Sequence, residues 1–599
     1  MWLPSIILCT LAILHSSSSA SIPKEAELVP IQDLQPRQVA TTTTRVADSQ
    51  CTNGPATRQC WGNGFSVNTN YDNTWPDTKK VVKYNLEITN TTMALDGTSR
   101  VVYAINGQYP GPTIIADWGD TLEITVKNSL TTNGTSIHWH GLRQWQTNHM
   151  DGTNGITECP LAPGQSKVYK FLCTQFGTTW YHSHYSGQYS DGVVGTMIIN
   201  GPASSNYDVD LGTLPINDWY YTTAFTLGPL IQFGGFPRGP PPAENILING
   251  TNVNATGGGR YHVNSLTKGK KYRVRLINTS TNDNFKVGLD NHTMTVITAD
   301  FVPIVPWQTQ WLNLNIGQRY DVIINANQPI SSYWFHVIPN VGCSNNKVGN
   351  ALSIFTYSGA SSSIPPNSTR NNSPVLIDCN DSNGNLTPYV KANVPTNITI
   401  PNKSRLDVGF AIVTETTSTN ATNTVFQWNI NSSVIQAPWD KPTIQYVLDS
   451  NTNYPPNMNL IALPKKNAWS FWIIQAIKTT PPPIAHPIHL HGHDFYVMGA
   501  GSGIYSSNTT LNFINPPRRD VAMLPAGGYL VIAFITDNPG AWLMHCHIAW
   551  HIGLGLGVQF LERADDIAGL GMGSTWTDEC KAWNSYYETA QFKEEDSGL

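Results

Sequence analysis

Charge is what this chain most lacks. Only 13% of its 599 residues are Asp, Glu, Lys or Arg, about half the usual share. Asn, Thr, Ser and Gly fill the difference. The net charge is −5, and no basic run or aromatic–basic interleaving occurs, which argues against nucleic acid as a partner. Long apolar runs are also missing. The stretch Leu3–Leu14 falls short of the roughly 18 residues a membrane span needs, and no later segment reaches that length, so no membrane anchor is expected. Sustained 3.6-residue periodicity is absent before the C-terminal tail, which excludes a helical bundle. Cysteine is scarce, with nine in the whole chain.

The N-terminus looks like a processed region. Residues 1–20 combine a short apolar stretch with small residues from Ser16 to Ala20, as in a secretory signal, although the first residues lack Lys or Arg. Residues 21–45 are rich in Pro, Gln and Thr and read as a propeptide or disordered leader, with Arg45 as the guessed cleavage point. Roughly fifteen Asn-x-Ser/Thr sequons follow, among them Asn90, Asn133, Asn249, Asn291, Asn397 and Asn508. That density suits a secreted, extracellular glycoprotein.

From there the text is β throughout. Thr121–Lys127 and Lys271–Leu276 alternate polar and apolar residues, and Gly and Pro punctuate such runs. A diverged internal repeat sets the domain count. Three Gly-containing turns lead into alternating strands: Pro163-Gly164-Gln165, Gly317-Gln318-Arg319 and Ala526-Gly527-Gly528. Each is followed by an aromatic-led strand, beginning at Trp180, Trp334 and Trp542. The fold class expected is all-β, with three homologous Greek-key β-sandwiches at 46–203, 204–385 and 386–565, and a tail at 566–599.

The chemistry sits in four histidine clusters: HWHG from His138, WYHSH ending at His184, HPIHLHGH from His486, and HCHIAWH from His545. On a strand, side chains two apart share a face, so each His-x-His pair can chelate. Four such pairs, two near each end of the chain, point to a polynuclear metal centre spanning two distant regions. Cys546 lies between His545 and His547 and faces the other way. It therefore serves a second site, joined to the first by backbone. His486, His551 and the Cys546 thiolate are the ligands of a blue-copper site. The loop after His551 runs to Leu556 without a Met, so a thioether axial ligand is missing. A closed zinc site would leave most of these histidines unused.

With these motifs in order, the chain from about Cys51 to Leu599 resembles the multicopper oxidases, and within them the laccases of ascomycete fungi. The resemblance implies cupredoxin-like sandwiches and four copper ions. It makes His486, Cys546 and His551 the type 1 ligands and Leu556 the non-coordinating axial residue. It assigns His138 and His489 to type 2, His140, His182 and His547 to one type 3 copper, and His184, His491 and His545 to the other. It pairs Cys51 with Cys60, Cys159 with Cys580 and Cys343 with Cys379. Cys173 is left over and reads as a buried, inert thiol. His551 becomes the residue that meets a phenolic reductant, and Asp151 an acid near the oxygen-reducing site. The catalytic set is then Cys546, His551 and Asp151. Relatives carry an acid where this chain aligns Gly258, which implies an altered phenol site. The ending Asp596–Leu599 resembles a tail that enters a channel to the trinuclear centre. Relatives encode a further segment cut away after it; here the sequence stops at Leu599, so no trimming is expected.

The implied activity is oxidation of phenols and related aromatics coupled to reduction of O2 to water, by a secreted monomer. An oxidase for ascorbate or ferrous iron is the alternative, though no acidic cluster flanks His486 or His551. A copper-storage protein would need neither the Cys between two His nor a trinuclear set. The role in lignin breakdown, pigment synthesis or detoxification stays open. Five further histidines are not expected to bind metal. His336 lies in the middle repeat with Ile338 where a second His is needed. His149, His262 and His292 stand alone in polar text and read as surface residues. His493 follows the third cluster, but its same-face neighbours are already claimed.

Overall fold

A computed structural model describes residues 51–599, apart from 235–238, 363, 366–377, 382, 397, 399, 417–421 and 477–483. The signal (1–20), the leader (21–45) and Asn397 lie outside the described residues. Strands make up 42% of the structure and helices 11%, so the class is all-β.

Three pairs of sheets follow one another along the chain. The first pair comprises Arg100–Ile105, Val81–Met93, Thr121–Asn128 and Ser166–Leu172, facing Gly111–Asp117, Val194–Asn200, Gly177–His182 and His138–Trp139. The second and third pairs each combine six strands with five. Their topologies coincide. In both, the six-stranded sheet joins its second and third strands in parallel and the rest antiparallel, Val209–Trp219 beside Lys271–Asn278 in one and Arg405–Thr416 beside Trp469–Ala476 in the other.

Period-two patterning builds each core. In Thr121–Asn128, Leu122, Ile124 and Val126 are buried and pack with Trp139, Tyr169 and Phe171. Val274, Leu276, Val322, Ile324, Phe335 and Val337 do the same in the middle pair. Trp472, Ile474, Ile532, Phe534, Trp542 and Met544 fill the third, and Cys546 belongs to that cluster. Each such side chain contributes about 1.5–3 kcal/mol by leaving water. These cores fix the ends of Gly177–His182, His486–Leu490 and Gly540–Cys546, which carry the histidines.

Cys51 is bonded to Cys60, Cys159 to Cys580 and Cys343 to Cys379. The 159–580 bond ties the first sheet pair to the C-terminal helix Ser574–Tyr587. Cys173 is free and fully buried, and burial raises its thiol pKa, as an inert core thiol requires. Among the described residues no helix is long and apolar enough to cross a membrane. Of the sequons, Asn90, Asn291 and Asn508 are exposed, whereas Asn133 is buried and donates to Tyr103 Oη at 3.2 Å.

Two histidines differ from the surface placement their local text suggested. His292 is buried, with Nδ1 2.7 Å from the Asp290 carbonyl and Nε2 2.7 Å from Tyr357 Oη. His149 is buried in the short turn Asn148–Met150, because Asn148 exchanges two hydrogen bonds with Ala541 of the third sheet pair. Polar neighbours in sequence concealed partners that are distant in the chain. His262 is half-buried.

Candidate metal centre

His486 begins a strand paired to Val521–Leu524, and Cys546 ends the strand Gly540–Cys546. A short helix, Ala549–Gly553, turns His551 back toward both. His486 Nδ1 and His551 Nδ1 lie 3.6 and 3.4 Å from Cys546 Sγ and 3.1 Å from each other. All three side chains are buried. Burial drives the His486 imidazole down to about 3 and pushes the Cys546 thiol up, outweighing the Ile548 amide that favours the thiolate. Two neutral imidazoles aimed at one buried sulfur suit a soft cation that would stabilise the thiolate. Leu556 is fully buried and its carbonyl accepts from the Cys546 amide at 3.2 Å. The Trp428 ring centre lies 4.5 Å from that of His551.

On the other face of the same strand, eight histidines converge between the first and third sheet pairs. Three donor groups lie within 4.8 Å: His138, His140 and His182; His138, His489 and His491; His184, His491 and His545. His547 Nε2 is 3.3 Å from His140 Nδ1, which completes the set. The rings of His138 and His491 stack at 3.9 Å, as do those of His140 and His489.

The outer hydrogen bonds settle which nitrogen faces inward. His138, His182 and His489 each hold Nδ1 2.8–2.9 Å from a backbone carbonyl, of Asp151, Ser183 and Asp520. A carbonyl only accepts, so Nδ1 carries the proton and Nε2 offers a lone pair. Those three Nε2 atoms are buried with no hydrogen-bond partner among the described residues. Orphaned, inward-facing imidazole nitrogens with anchored outer nitrogens are what a metal site requires. Burial, then crowding by neighbouring imidazoles, holds the pKa of His140, His182, His184, His489, His491 and His547 well below the usual value, so the rings are neutral. The donor chemistry fits copper at both sites.

Asp151 is buried among these rings. Its Oδ2 accepts from His491 Nδ1 at 2.9 Å and from Thr153 Oγ1 at 2.7 Å. Asp520, which the sequence reading passed over, lies against His140 and His489. Its Oδ1 is 3.2 Å from His140 Nε2, and it forms a bidentate pair with Arg319 at 2.5 and 2.6 Å. Arg518-Arg519-Asp520 is a dense charge run in a charge-poor chain, and that contrast was the available signal. Removing one partner of such a buried pair costs on the order of 3–5 kcal/mol.

The remaining candidates fall elsewhere. His493 Nε2 is 3.1 Å from Glu562 Oε2, away from the other rings' donors, and His336 Nε2 is 2.9 Å from Asp290 Oδ1. Asp494 is buried against Tyr71 and Arg518. Gly258 sits in a turn whose nearest neighbours are Asn254 and Gly97.

The C-terminus is docked. Ser597, Gly598 and Leu599 are buried, and Leu599 lines a small cavity with His182, His184, His545 and His547. Ser597 Oγ donates to the Ile552 carbonyl at 2.6 Å, Trp439 Nε1 to the Gly598 carbonyl at 2.8 Å, and Asp596 accepts from Ser186. Beside the His551 turn, a cavity of about 600 Å³ is lined by Phe225, Ile231, Trp439, Trp550, Leu554 and Asp596 among others.

Three multicopper oxidase family models match residues 87–204, 210–360 and 411–566. Laccase-3 of Botryotinia fuckeliana is 53% identical over 75% of this chain and all of its own length. The laccase of Neurospora crassa is 45% identical over 91% of this chain and 89% of its own. Among solved structures, the laccase from Botrytis aclada superposes with a TM-score of 0.84 at 41% identity, covering 92% of this chain and 100% of that one. Fet3p, a multicopper oxidase that functions in iron import, gives 0.74 at 26% identity over 84% of this chain and 95% of its own.

Proposed function

This chain belongs to the multicopper oxidase family, and we propose that within it the protein is a secreted, monomeric laccase holding four copper ions. The activity is oxidation of phenolic and related aromatic substrates coupled to reduction of O2 to water. Bound copper would supply the one-electron redox chemistry, four electrons from four phenols matching the reduction of one O2 to two waters, with the four protons coming from solvent and side chains. The domains are assigned to 46–203, 204–385 and 386–565.

The residues divide the work. His486, Cys546 and His551 hold the type 1 ion. His138 and His489 hold type 2; His140, His182 and His547 hold one type 3 ion, and His184, His491 and His545 the other. The observation that carries this reading is the set of orphaned Nε2 atoms on His138, His182 and His489, backed by anchored Nδ1 atoms. Cys546 is bonded through backbone to both His545 and His547, so one strand joins the two sites covalently. Asp151 holds a proton-accepting carboxylate against His491 and is the candidate catalytic acid–base at the oxygen side. The aromatic-walled cavity lined by Trp550, the chain neighbour of His551, suits a phenol ring. Leu599 is the plug of the oxygen-side channel, held by Ser597 and Trp439.

Laccase is preferred over ascorbate or iron oxidation because the laccase relatives are far more similar than Fet3p, which functions in iron import. Asp494, the acid nearest His486 in sequence, is also engaged elsewhere. Oxygen uptake with a phenol, ascorbate and ferrous iron, alongside copper counting, tests this. About four coppers per chain and fastest uptake with the phenol support the reading; fewer coppers or preference for iron contradict it.

A further inference from the structure

The middle sheet pair supplies no ligand, yet one of its turns touches the trinuclear centre. Gly317 has φ +81°, and a Cβ built on it would lie 3.1 Å from His140 Cε1, from His547 Cδ2 and from Val521 Cγ2. The turn is therefore laid directly on two imidazole edges. The same turn in the first sheet pair behaves differently: a Cβ on Gly164 meets nothing within 4 Å. Gln318 pins the middle turn in place, donating to Asp381 Oδ1 at 2.7 Å and to the Val521 carbonyl at 3.2 Å.

The next residue, Arg319, is fully buried and joins all three sheet pairs. Its Nε donates to the Thr178 carbonyl of the first at 3.2 Å, and its Nη1 to the Gly317 carbonyl of its own turn at 3.2 Å. Both terminal nitrogens grip Asp520 of the third at 2.5 and 2.6 Å. Asp520 in turn faces His140 Nε2 at 3.2 Å. His140 is thus oriented opposite to His138, His182 and His489: its Nε2 is held outward, and its Nδ1 points inward to His547 Nε2 at 3.3 Å. A carboxylate accepting from Nε2–H leaves the lone pair on Nδ1.

We propose that Arg319 and Asp520 are positioning residues that select the Nδ1 face of His140, and that the Gly317 turn of the middle domain is the template against which His140 and His547 are set. The inference rests on the copper reading above. It assigns the Gly317 turn of the ligand-free domain a part in oxygen reduction, apart from His486, Cys546 and His551, which hold the other site.

The test compares copper-loaded wild type with Arg319→Gln, Asp520→Asn and Gly317→Ala. Five quantities are read: copper per chain, the blue band, the near-ultraviolet band of the coupled copper pair, and the rates of the two half-reactions by stopped flow. The expected result is a lost or shifted pair band and reoxidation by O2 slowed about 10–100-fold, the usual effect of removing an outer partner of a ligand. The blue band and reduction by phenol stay within about twofold of wild type. Should the two ion-pair variants fail to fold, Gly317→Ala, which breaks no ion pair, decides alone. An unchanged pair band and unchanged reoxidation overturn the proposal. So does parallel loss of both bands and both half-reactions, which would make the turn general scaffold. A wild type that shows neither band refutes the copper reading itself, a distinct outcome.

Discussion

The two candidate copper centres both rest on imidazole side chains but are built by different routes. His486, Cys546 and His551 all come from the third sheet pair and meet on one face of the strand Gly540–Cys546. The eight histidines on its other face come from the first and third pairs, and their outer contacts come from all three. A site made within one core depends on that core alone. A site made at a seam depends on how the domains pack. The Cys546 ligand set is therefore the locally encoded half, and the oxygen-side centre the globally encoded half.

The largest effect is expected where the halves join. Cys546→Ser removes the thiolate that serves the first site, so the blue colour and phenol oxidation fall to background while the fold remains. Circular dichroism with absorption checks this, and a variant that stays blue breaks the division at its centre. Deleting Asp596–Leu599 attacks the seam. It empties the position of Leu599 beside His182 and His547, and should slow O2 reduction about tenfold while leaving reduction by phenol intact. Equal half-reaction rates in both proteins would make the tail a passive end.

A weaker form of the same effect comes from pH. Burial, then repulsion from Asp596, raises the Glu594 carboxyl from the usual 4.5 to about 8 in the docked tail. The docked state binds that proton more tightly than a released tail does. Docking is thus fully favoured below the usual carboxyl value and weakens as pH rises through about 8. The O2 half-reaction should fall severalfold across that window, and Glu594→Gln should flatten the fall. A slope that survives the substitution would locate the titration elsewhere.

These contrasts match what the sequence made legible. His-x-His spacing is local, so the histidine clusters that converge could be written from the motifs, while their division among ions came from resemblance, and alternation at Leu122, Ile124 and Val126 carried the β class. Contacts across the seam could not be written. Arg319 and Asp520 are 201 residues apart, and neither has a local pattern that names the other. His149 and His292 differ from their expected placement for the same reason: their polar neighbours describe the chain, while Ala541 bonds the adjacent Asn148 and Tyr357 bonds His292 from afar. The tail was legible only through resemblance, because its acidic residues alone suit a frayed end equally well.

Two smaller effects sharpen the intake side. Leu556→Met adds a weak thioether and should lower the type 1 potential by about 60 mV, a tenfold shift in a one-electron equilibrium. Redox titration reads it, and an unchanged potential would mean that Leu556 does not face the ion. Gly258→Glu tests the alignment that places an acid near the phenol. Turnover of simple phenols should rise about two- to threefold with no change for a non-phenolic reductant, since a carboxylate accepts the phenol proton. No difference between the two reductants would remove Gly258 from the substrate site.

The central claim is that one site takes electrons from a phenol and the other gives them to O2, through a single strand. Anaerobic titration of the copper-loaded protein with a phenol, followed by readmission of O2, tests it most directly. The blue band should bleach on the phenol and return on O2, with one O2 consumed for every four electrons and no peroxide released. A band that bleaches but fails to return, or that returns with peroxide, would contradict the account.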